Sequence, residues 1–111
     1  MELYAFDWGG VMNVNPELQT IAKELLAAGH QIFIISVAWP HENREEHVRK
    51  CGIPFTGIYV IEETGFTQHG VEKIKIMKQL GCRVIFDDNQ DVINHAKKAG
   101  FLAIKVSYKD H

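Results

Sequence analysis

The sequence predicts an α/β fold, a Rossmann-like three-layer sandwich in which a parallel five-stranded sheet carries helices on both faces. Short apolar runs of strand length alternate along the chain with segments whose apolar residues recur at helical spacing. The connections between them are short, and this strand–helix alternation is typical of parallel sheets covered by helices. A chain of 111 residues has the size of one domain, so we expect a single domain over residues 1–111.

Glycine, proline and asparagine mark where the predicted elements begin and end. Asn15 and Pro16 are typical of a helix start, Gly29 is typical of the end of that helix, and Val37–Pro40 is expected to end the second strand. The strands are predicted at about residues 2–7, His30–Ser36, Ile58–Ile61, Arg83–Asp87 and Leu102–Val106. The helices are predicted from Pro16 to Gly29, at His41–Lys50, at about Val71–Leu80 and at Asp91–Ala99, with a loose polar tail at Ser107–His111.

The composition is that of an ordinary globular protein, with 46% hydrophobic residues and a formal net charge of −2. No basic stripe or arm indicates a nucleic-acid partner. Arg44, Arg49 and Lys50 cluster on one segment, which we interpret as a solvated helix face. Cys51 and Cys82 lack the spacing of a zinc site or redox motif, which favours reduced thiols in a cytosolic protein.

The N-terminal stretch lacks the charged start and apolar core of a signal peptide. No apolar run approaches the roughly 20 residues that are needed to span a bilayer. We therefore expect a soluble cytoplasmic protein with no membrane partner.

A carboxylate and two glycines follow the first apolar strand. Asp7 comes directly after this strand, and Gly9 and Gly10 follow it. Ligands of parallel α/β sheets bind beyond the carboxyl ends of the strands, and a buried acid is costly there unless it is paired or metal-bound. The glycines allow a tight turn and let a ligand approach the backbone N–H groups. Gly9 and Gly10 are therefore candidate substrate-binding residues.

Further polar groups stand at the ends of two later strands. Ser36 ends the second strand with a hydroxyl, and Asp87 and Asp88 end the fourth, with Asp91 shortly after them. One acid would suffice to cap the helix that follows. Two adjacent acids repel each other, so a bound cation explains them better. Mg²⁺ prefers one or two carboxylates together with water and phosphate oxygens.

Two lysines, Lys73 and Lys75, lie near the start of the third main helix. The order acid, hydroxyl, lysine and acid pair resembles the haloacid dehalogenase (HAD) superfamily over nearly the whole chain. The resemblance implies that Asp7 is a nucleophile that forms an aspartyl-phosphate, which water later hydrolyses. It also implies that Ser36 hydrogen-bonds the transferring phosphoryl group and that Lys73 is the positive clamp on it, with Lys75 as the alternative.

The resemblance further implies a Mg²⁺ cofactor. The ion would be held by Asp7, by the backbone carbonyl of Gly9 and by the acids after the fourth strand. The family's metal motif has an acid–acid and a glycine–acid version. The first version makes Asp88 the ligand, which we favour, and the second makes Asp87 the ligand with Asp91 in support.

One position departs from the family's pattern. HAD phosphatases carry a second Asp two residues after the nucleophile, which protonates the leaving group and then activates water, and here that residue is Gly9. Loss of such a group costs about 10²–10⁴ in rate. The chain is also too short for an inserted cap domain, because Val11–Pro16 and Phe55–Gly57 leave no room for one. Capless members often act on large substrates or need a partner that covers the site.

These features favour a slow Mg²⁺-dependent phosphohydrolase whose substrate is a phosphorylated small molecule or macromolecule with a good leaving group. On this view Gly9→Asp should raise the rate on poor leaving groups. The alternative is a catalytically degenerate HAD domain that binds Mg²⁺ and a phosphorylated ligand or a protein partner without turnover. A receiver-type phosphoacceptor domain ranks below both, because a receiver carries an acid pair after its first strand and Asp7 stands alone. The glycine pattern of a dinucleotide site is absent.

The remaining aromatic and imidazole side chains give weaker signals. Trp8 and Trp39 either line the site or belong to the core. Four histidines show no metal-ligand spacing and are interpreted as surface or core residues, namely His41, His47, His69 and His95.

Overall fold

The computed structural model describes residues 1–106, and it confirms the α/β class with a parallel five-stranded sheet. The expectation for the tail at Ser107–His111 lies outside the described residues. The strands are β1 (Leu3–Phe6), β2 (Gln31–Ala38), β3 (Gly57–Glu62), β4 (Val84–Asp87) and β5 (Leu102–Lys105). The helices are α1 (Pro16–Ala27), α2 (Arg44–Lys50), α3 (His69–Leu80) and α4 (Gln90–Lys98).

The order of strands across the sheet is β3-β2-β1-β4-β5. The chain runs outward from β1 through β2 to β3, and it then returns to the other side of β1 to build β4 and β5. The order therefore reverses between β1 and β4, and the crevice at such a switch point is where open α/β sheets bind ligands.

Two apolar clusters fill the space on the two faces of the sheet. One joins the inward side of α1 and the single buried residue of α2, Val48, to β-strand residues such as Phe6 and Ile34. The other joins α3 and α4 to the opposite side of the same strands, including Ala5 and Ile85. Because side chains alternate along a strand, the neighbours Ala5 and Phe6 serve different faces. The three-layer arrangement follows from this alternation.

Local capping explains why α1 begins and ends where the sequence predicts. The side chain of Asn15 accepts a hydrogen bond from the backbone N–H of Leu18, and Pro16 occupies the first helical position. The C-cap is Ala28, and Gly29 follows it with a φ of +92°, a conformation in which glycine is favoured.

Three predicted boundaries were wrong. β2 does not end at Ser36 but continues through Val37 and Ala38, because these residues pair in register with Ile61 and Glu62 of β3. The helix predicted at His41–Lys50 is divided by Asn43, whose φ of +48° turns the chain after a short 3₁₀ turn at Pro40–Glu42. The third helix begins at His69 rather than at Val71, so His69 belongs to the helix.

The connections are short throughout residues 1–106. The longest, residues 7–15, contains the tight turn Trp8–Met12 and no inserted domain. Within the same residues, every helix is too short or too polar to cross a membrane.

Candidate active site

Asp7 and Asp87 stand side by side at the carboxyl ends of the neighbouring strands β1 and β4. β1 pairs with β4 so that Phe6 lies opposite Phe86, and the backbone N–H of Asp7 donates to the carbonyl of Phe86 at 2.9 Å. The rings of Phe6 and Phe86 stack with their centroids 4.4 Å apart. The pairing and the stacked rings fix the two acids at the switch point of the sheet.

Lys73 of α3 reaches both acids. Its Nζ lies 2.9 Å from Oδ1 of Asp7 and 2.7 Å from Oδ2 of Asp87. The lysine side chain is 2% exposed and Asp87 is fully buried. Lysine is almost never buried to this extent unless it is paired. The other oxygen of Asp87, Oδ1, accepts the backbone N–H of Asn89 at 2.9 Å, so both of its oxygens are engaged.

The charges of this cluster do not balance. Burial raises the pKa of Asp7 and that of Asp87, against the opposing attraction of Lys73. Burial also acts to lower the pKa of Lys73, but the two carboxylates outweigh it and the pKa of this lysine lies above its ordinary value. One ammonium is therefore shared by two carboxylates, and the cluster lacks positive charge.

Asp88 brings a third carboxylate to the same place. One oxygen from each of Asp7, Asp87 and Asp88 lies within 4.8 Å of the others. Asp88 is exposed, and its Oδ2 would lie 2.8 Å from a Cβ added to Gly10, whose φ is +73°. A set of carboxylate oxygens with too little positive charge fits the chemistry of Mg²⁺. Glycine at position 10 gives both the backbone conformation and the room that this arrangement requires.

Several sequence-predicted residues lie apart from this cluster. Asp91 directs its Oδ2 to the backbone N–H of Gly70 at 3.1 Å and is absent from the group of three acids. Lys75 is exposed and lines a separate groove between α3 and α4. Trp8 is buried in the core and Trp39 is 43% exposed, and neither lines the cavity at the acids.

Ser36 is fully buried, and its hydroxyl contacts an arginine that sequence reasoning missed. Nη1 of Arg44 donates to Oγ of Ser36 at 2.9 Å, and Nη2 lies 3.2 Å from Oε1 of Glu42. The side chain of Arg44 is 15% exposed. It is therefore part of the interior of the site rather than of a solvated helix face. One signal in the sequence could have identified Arg44, namely its position after the carboxyl end of β2.

Gly9 lies beside the same guanidinium. A Cβ added to Gly9 would lie 3.2 Å from Nη1 of Arg44. The backbone N–H of Gly10 donates to Oδ1 of Asn13 at 2.9 Å, which ties it to the turn. Arg44 thus takes up the space next to position 9, where the family that the sequence resembles carries its general acid.

These groups line one cavity of about 210 Å³. His69 belongs to its wall, and Nε2 of His69 donates to Oε2 of Glu63 at 2.7 Å. This hydrogen bond, with one from the backbone N–H of Gly65, lowers the pKa of Glu63 to about 2. The residues that line the cavity are Asp7, Gly9, Val37, Arg44, His69, Lys73, Asp87, Asp88 and Asn89.

No protein-family model and no curated protein matches the chain. Solved structures do resemble it. A chain in a structure of the Pnkp1/Rnl/Hen1 RNA repair complex superposes with a TM-score of 0.79 at 13% identity, over 99% of this chain and 43% of that one. A chain of a second Pnkp1/Rnl/Hen1 complex gives a TM-score of 0.76 at 14% identity, over 99% and 47%.

A third similar structure is an NMR structure of the core domain of "a putative phosphoglycolate phosphatase from Streptococcus pneumoniae TIGR4". It superposes with a TM-score of 0.66 at 15% identity, over 99% of this chain and 83% of that one. The present chain spans less than half the length of the first two chains. The fold is similar to that of this core domain.

Proposed function

We propose that this chain is a Mg²⁺-dependent phosphohydrolase that acts through an aspartyl-phosphate on Asp7. The observation that carries the proposal is the position of Asp7, which lies at the switch point of the sheet with Lys73 2.9 Å from one of its oxygens. A carboxylate in such a place can split a difficult displacement into two easier ones. The HAD-like fold supports the same assignment.

Two displacements make up the reaction. Lys73 holds Oδ1 of Asp7, so the other oxygen, Oδ2, attacks phosphorus while the bond from phosphorus to the leaving oxygen breaks. The leaving group departs with the bonding electron pair. A water molecule then attacks phosphorus, the bond to Asp7 breaks, orthophosphate leaves, and the water proton goes to solvent. Lys73 stabilises charge on the phosphoryl oxygens as well as on the carboxylate.

The residues available for Mg²⁺ are Asp7, Asp88, Asp87 and the backbone carbonyl of Gly9. Asp88 is the preferred ligand after β4, since both oxygens of Asp87 already accept hydrogen bonds. Bound Mg²⁺ supplies Lewis-acid stabilisation of the negative charge on the phosphoryl group. Asp91 stays a weaker candidate, because its carboxylate binds Gly70.

Gly9 sets the expected substrate class and the expected rate. With no carboxylic acid at this position, nothing there protonates the leaving group, and the proton transfer that is lost is worth about 10²–10⁴ in rate. The carboxylate or phenolate that leaves from an acyl or aryl phosphate needs little protonation. We therefore expect slow turnover that is best on such substrates.

The same glycine favours a second candidate function. The chain would then be a degenerate domain that binds Mg²⁺ and a phosphorylated ligand without turnover. The residues described have no cap over the cavity, so a protein partner or a second copy of the chain could cover it. Structural similarity to chains of an RNA repair complex is consistent with a protein partner and with a phosphorylated macromolecule as ligand. Free thiols at Cys51 and Cys82 favour the cytoplasm.

The deciding experiment compares the wild type with Asp7→Asn in the hydrolysis of p-nitrophenyl phosphate and acetyl phosphate with Mg²⁺. We expect turnover in the wild type and its loss in Asp7→Asn and in EDTA. Arg49→Gln changes an exposed arginine outside the cavity and is the control. Turnover that survives in Asp7→Asn would contradict the proposal. Absence of turnover in both, together with Mg²⁺ binding but no beryllofluoride adduct, would favour the degenerate domain.

The metal site has its own test by calorimetry. We expect Asp88→Ala to abolish Mg²⁺ binding and Asp91→Ala to leave it nearly intact, because only Asp88 lies with Asp7 and Asp87. A loss of binding in Asp91→Ala with little loss in Asp88→Ala would favour the glycine–acid arrangement. Unchanged binding in both variants would place the ion elsewhere.

A further inference from the structure

Arg44 and Ser36 differ in their access to the cavity. Ser36 is fully buried and is absent from the cavity wall, whereas Arg44 lines it together with Asp7 and Lys73. Nη1 of Arg44 donates to Oγ of Ser36. A ligand in the cavity would therefore meet the guanidinium before it met the hydroxyl.

The guanidinium keeps donors for a ligand. It has five N–H groups, and within residues 1–106 its hydrogen bonds are those to Ser36 and Glu42. The carboxylate of Glu42 is itself shared, because Oε2 accepts the backbone N–H of Trp39 at 2.7 Å. These bonds use one N–H group each of Nη1 and Nη2 and leave the other three N–H groups for an anion. Guanidinium matches phosphate oxygens in a two-pronged geometry.

The absence of a side chain at Gly9 keeps this guanidinium available. A Cβ at position 9 would lie 3.2 Å from Nη1 of Arg44, so a carboxylate carried there would pair with it. Glycine removes that competitor. The pair Gly9 and Arg44 replaces a group that can give a proton with a permanent cation that cannot.

We propose that Arg44 is a phosphoryl-binding residue of this site and that Ser36 is a positioning residue which holds the guanidinium in place. The assignment rests on the proposed function only in that both use the same cavity. The ligand class is a doubly charged phosphoryl group, held between Arg44 and Lys73. Arg44 stabilises negative charge on the phosphoryl oxygens and does not protonate the leaving group, which suits acyl phosphates.

The test measures binding of inorganic phosphate by calorimetry in the presence of Mg²⁺. We expect Arg44→Gln to weaken phosphate binding by about 10–100-fold, because charged hydrogen bonds to the anion are lost. Arg44→Lys should bind phosphate with an affinity between those of the wild type and Arg44→Gln, since it keeps the charge without the planar fork. Ser36→Ala should weaken binding several-fold by loosening Arg44. Arg49→Gln, on the same helix, is the matched control and should bind as the wild type does. Mg²⁺ binding without phosphate should persist in Arg44→Gln.

A second pair of variants decides the matter if Arg44→Gln fails to fold. Gly9→Asp places a carboxylate beside Arg44 and should weaken phosphate binding at least tenfold. Gly9→Asn has the same shape without the charge and should weaken it much less. Equal phosphate affinity in these two variants, or an Arg44→Gln affinity within twofold of the wild type, would overturn the proposal. A wild type that binds Mg²⁺ but no phosphate would overturn it as well.

This experiment separates the two proposals. A wild type that binds phosphate through Arg44 but never hydrolyses acetyl phosphate supports the role of Arg44 and contradicts the phosphohydrolase. Hydrolysis that continues in Arg44→Gln with an unchanged KM supports the phosphohydrolase and contradicts the role of Arg44.

Discussion

The ammonium of Lys73, carried by α3, lies 2.7 Å from Oδ2 of Asp87, the last residue of β4. The same ammonium also lies 2.9 Å from Asp7 Oδ1. Lys73 therefore connects α3 to the carboxyl ends of both β1 and β4. Because Lys73 and Asp87 are buried, the free energy of folding depends on the charge that each carries.

Lys73→Met should strongly destabilise the protein. It leaves two buried acids without their cation, and breaking a buried ion pair in this way costs about 3–5 kcal/mol. Lys75→Met is the matched control, because Lys75 is exposed on the same helix and its loss should change the unfolding free energy by less than about 0.5 kcal/mol. Denaturant unfolding in EDTA gives both values. Equal effects of the two substitutions would mean that the buried cluster of Asp7, Lys73 and Asp87 contributes nothing to the unfolding free energy.

The two buried acids should respond differently to replacement by asparagine. Asp7 uses Oδ1 to bind Lys73, which an amide oxygen can still do, so Asp7→Asn removes excess negative charge and should stabilise the metal-free protein. Both oxygens of Asp87 accept hydrogen bonds, so Asp87→Asn turns an amide N–H toward another donor and should destabilise it.

The sign of the effect of pH checks the Asp7 argument. Burial raises the pKa of Asp7 in the folded state, so its contribution to stability is complete at low pH and is lost as the pH rises through the folded pKa. The metal-free wild type should therefore lose stability over that rise relative to Asp7→Asn. Saturating Mg²⁺ should reverse the order of the two proteins, because only the wild type gains binding free energy. An unchanged order with Mg²⁺ would mean that Asp7 is no ligand.

The fold could be predicted because its signals are local. Asn15, Pro16 and Gly29 act within one turn of the chain. The length of each apolar run predicts the length of the strand that it forms. The end of β2 could not be predicted, because Val37 and Ala38 are held by pairing with β3, which lies about 24 residues further along the chain. Such pairing leaves no local trace before Pro40.

The site could be predicted in part for the same reason. Asp7 and Asp87 stand at strand ends, where topology alone brings them together. The choice between Lys73 and Lys75 depends on the rotation of α3, which periodicity fixes only loosely. Arg44 was missed although it follows β2, since the left-handed turn at Asn43 redirects the chain and an apparently solvated arginine faces inward.

The hydrogen bond between His69 and Glu63 should make stability fall at acid pH. The pKa of Glu63 is lowered from about 4.5 to about 2, chiefly by the bond from His69. A carboxyl group whose pKa is lowered by folding stabilises the fold at pH values above its ordinary pKa. This contribution is lost as the pH falls toward about 2. Glu63→Gln should flatten the dependence of unfolding free energy on pH in this window. The exposed neighbour Glu62→Gln is the matched control. An unchanged slope in Glu63→Gln would mean that the hydrogen bond is absent in solution.

A carboxylate placed at position 9 should not by itself act as a general acid. Gly9 has φ of −65° and ψ of 123°, so Gly9→Asp adds no backbone strain, but its Cβ would lie 3.2 Å from Nη1 of Arg44. Pairing with the guanidinium lowers the pKa of the new carboxyl and keeps it ionised at neutral pH. An ionised carboxylate has no proton to give to a leaving group. The sequence alone favours the opposite outcome.

A double-mutant cycle distinguishes the two outcomes. The measured quantity is kcat at saturating glycerol phosphate, whose alkoxide leaves poorly, relative to kcat on p-nitrophenyl phosphate. We expect Gly9→Asp to change this ratio less than about threefold in the wild type, but to raise it at least tenfold in Arg44→Gln, where the carboxyl can hold a proton. Gly9→Asn in both backgrounds controls for shape. An equal rise in both backgrounds would mean that Arg44 does not reach position 9 and does not control the proton of a carboxyl there.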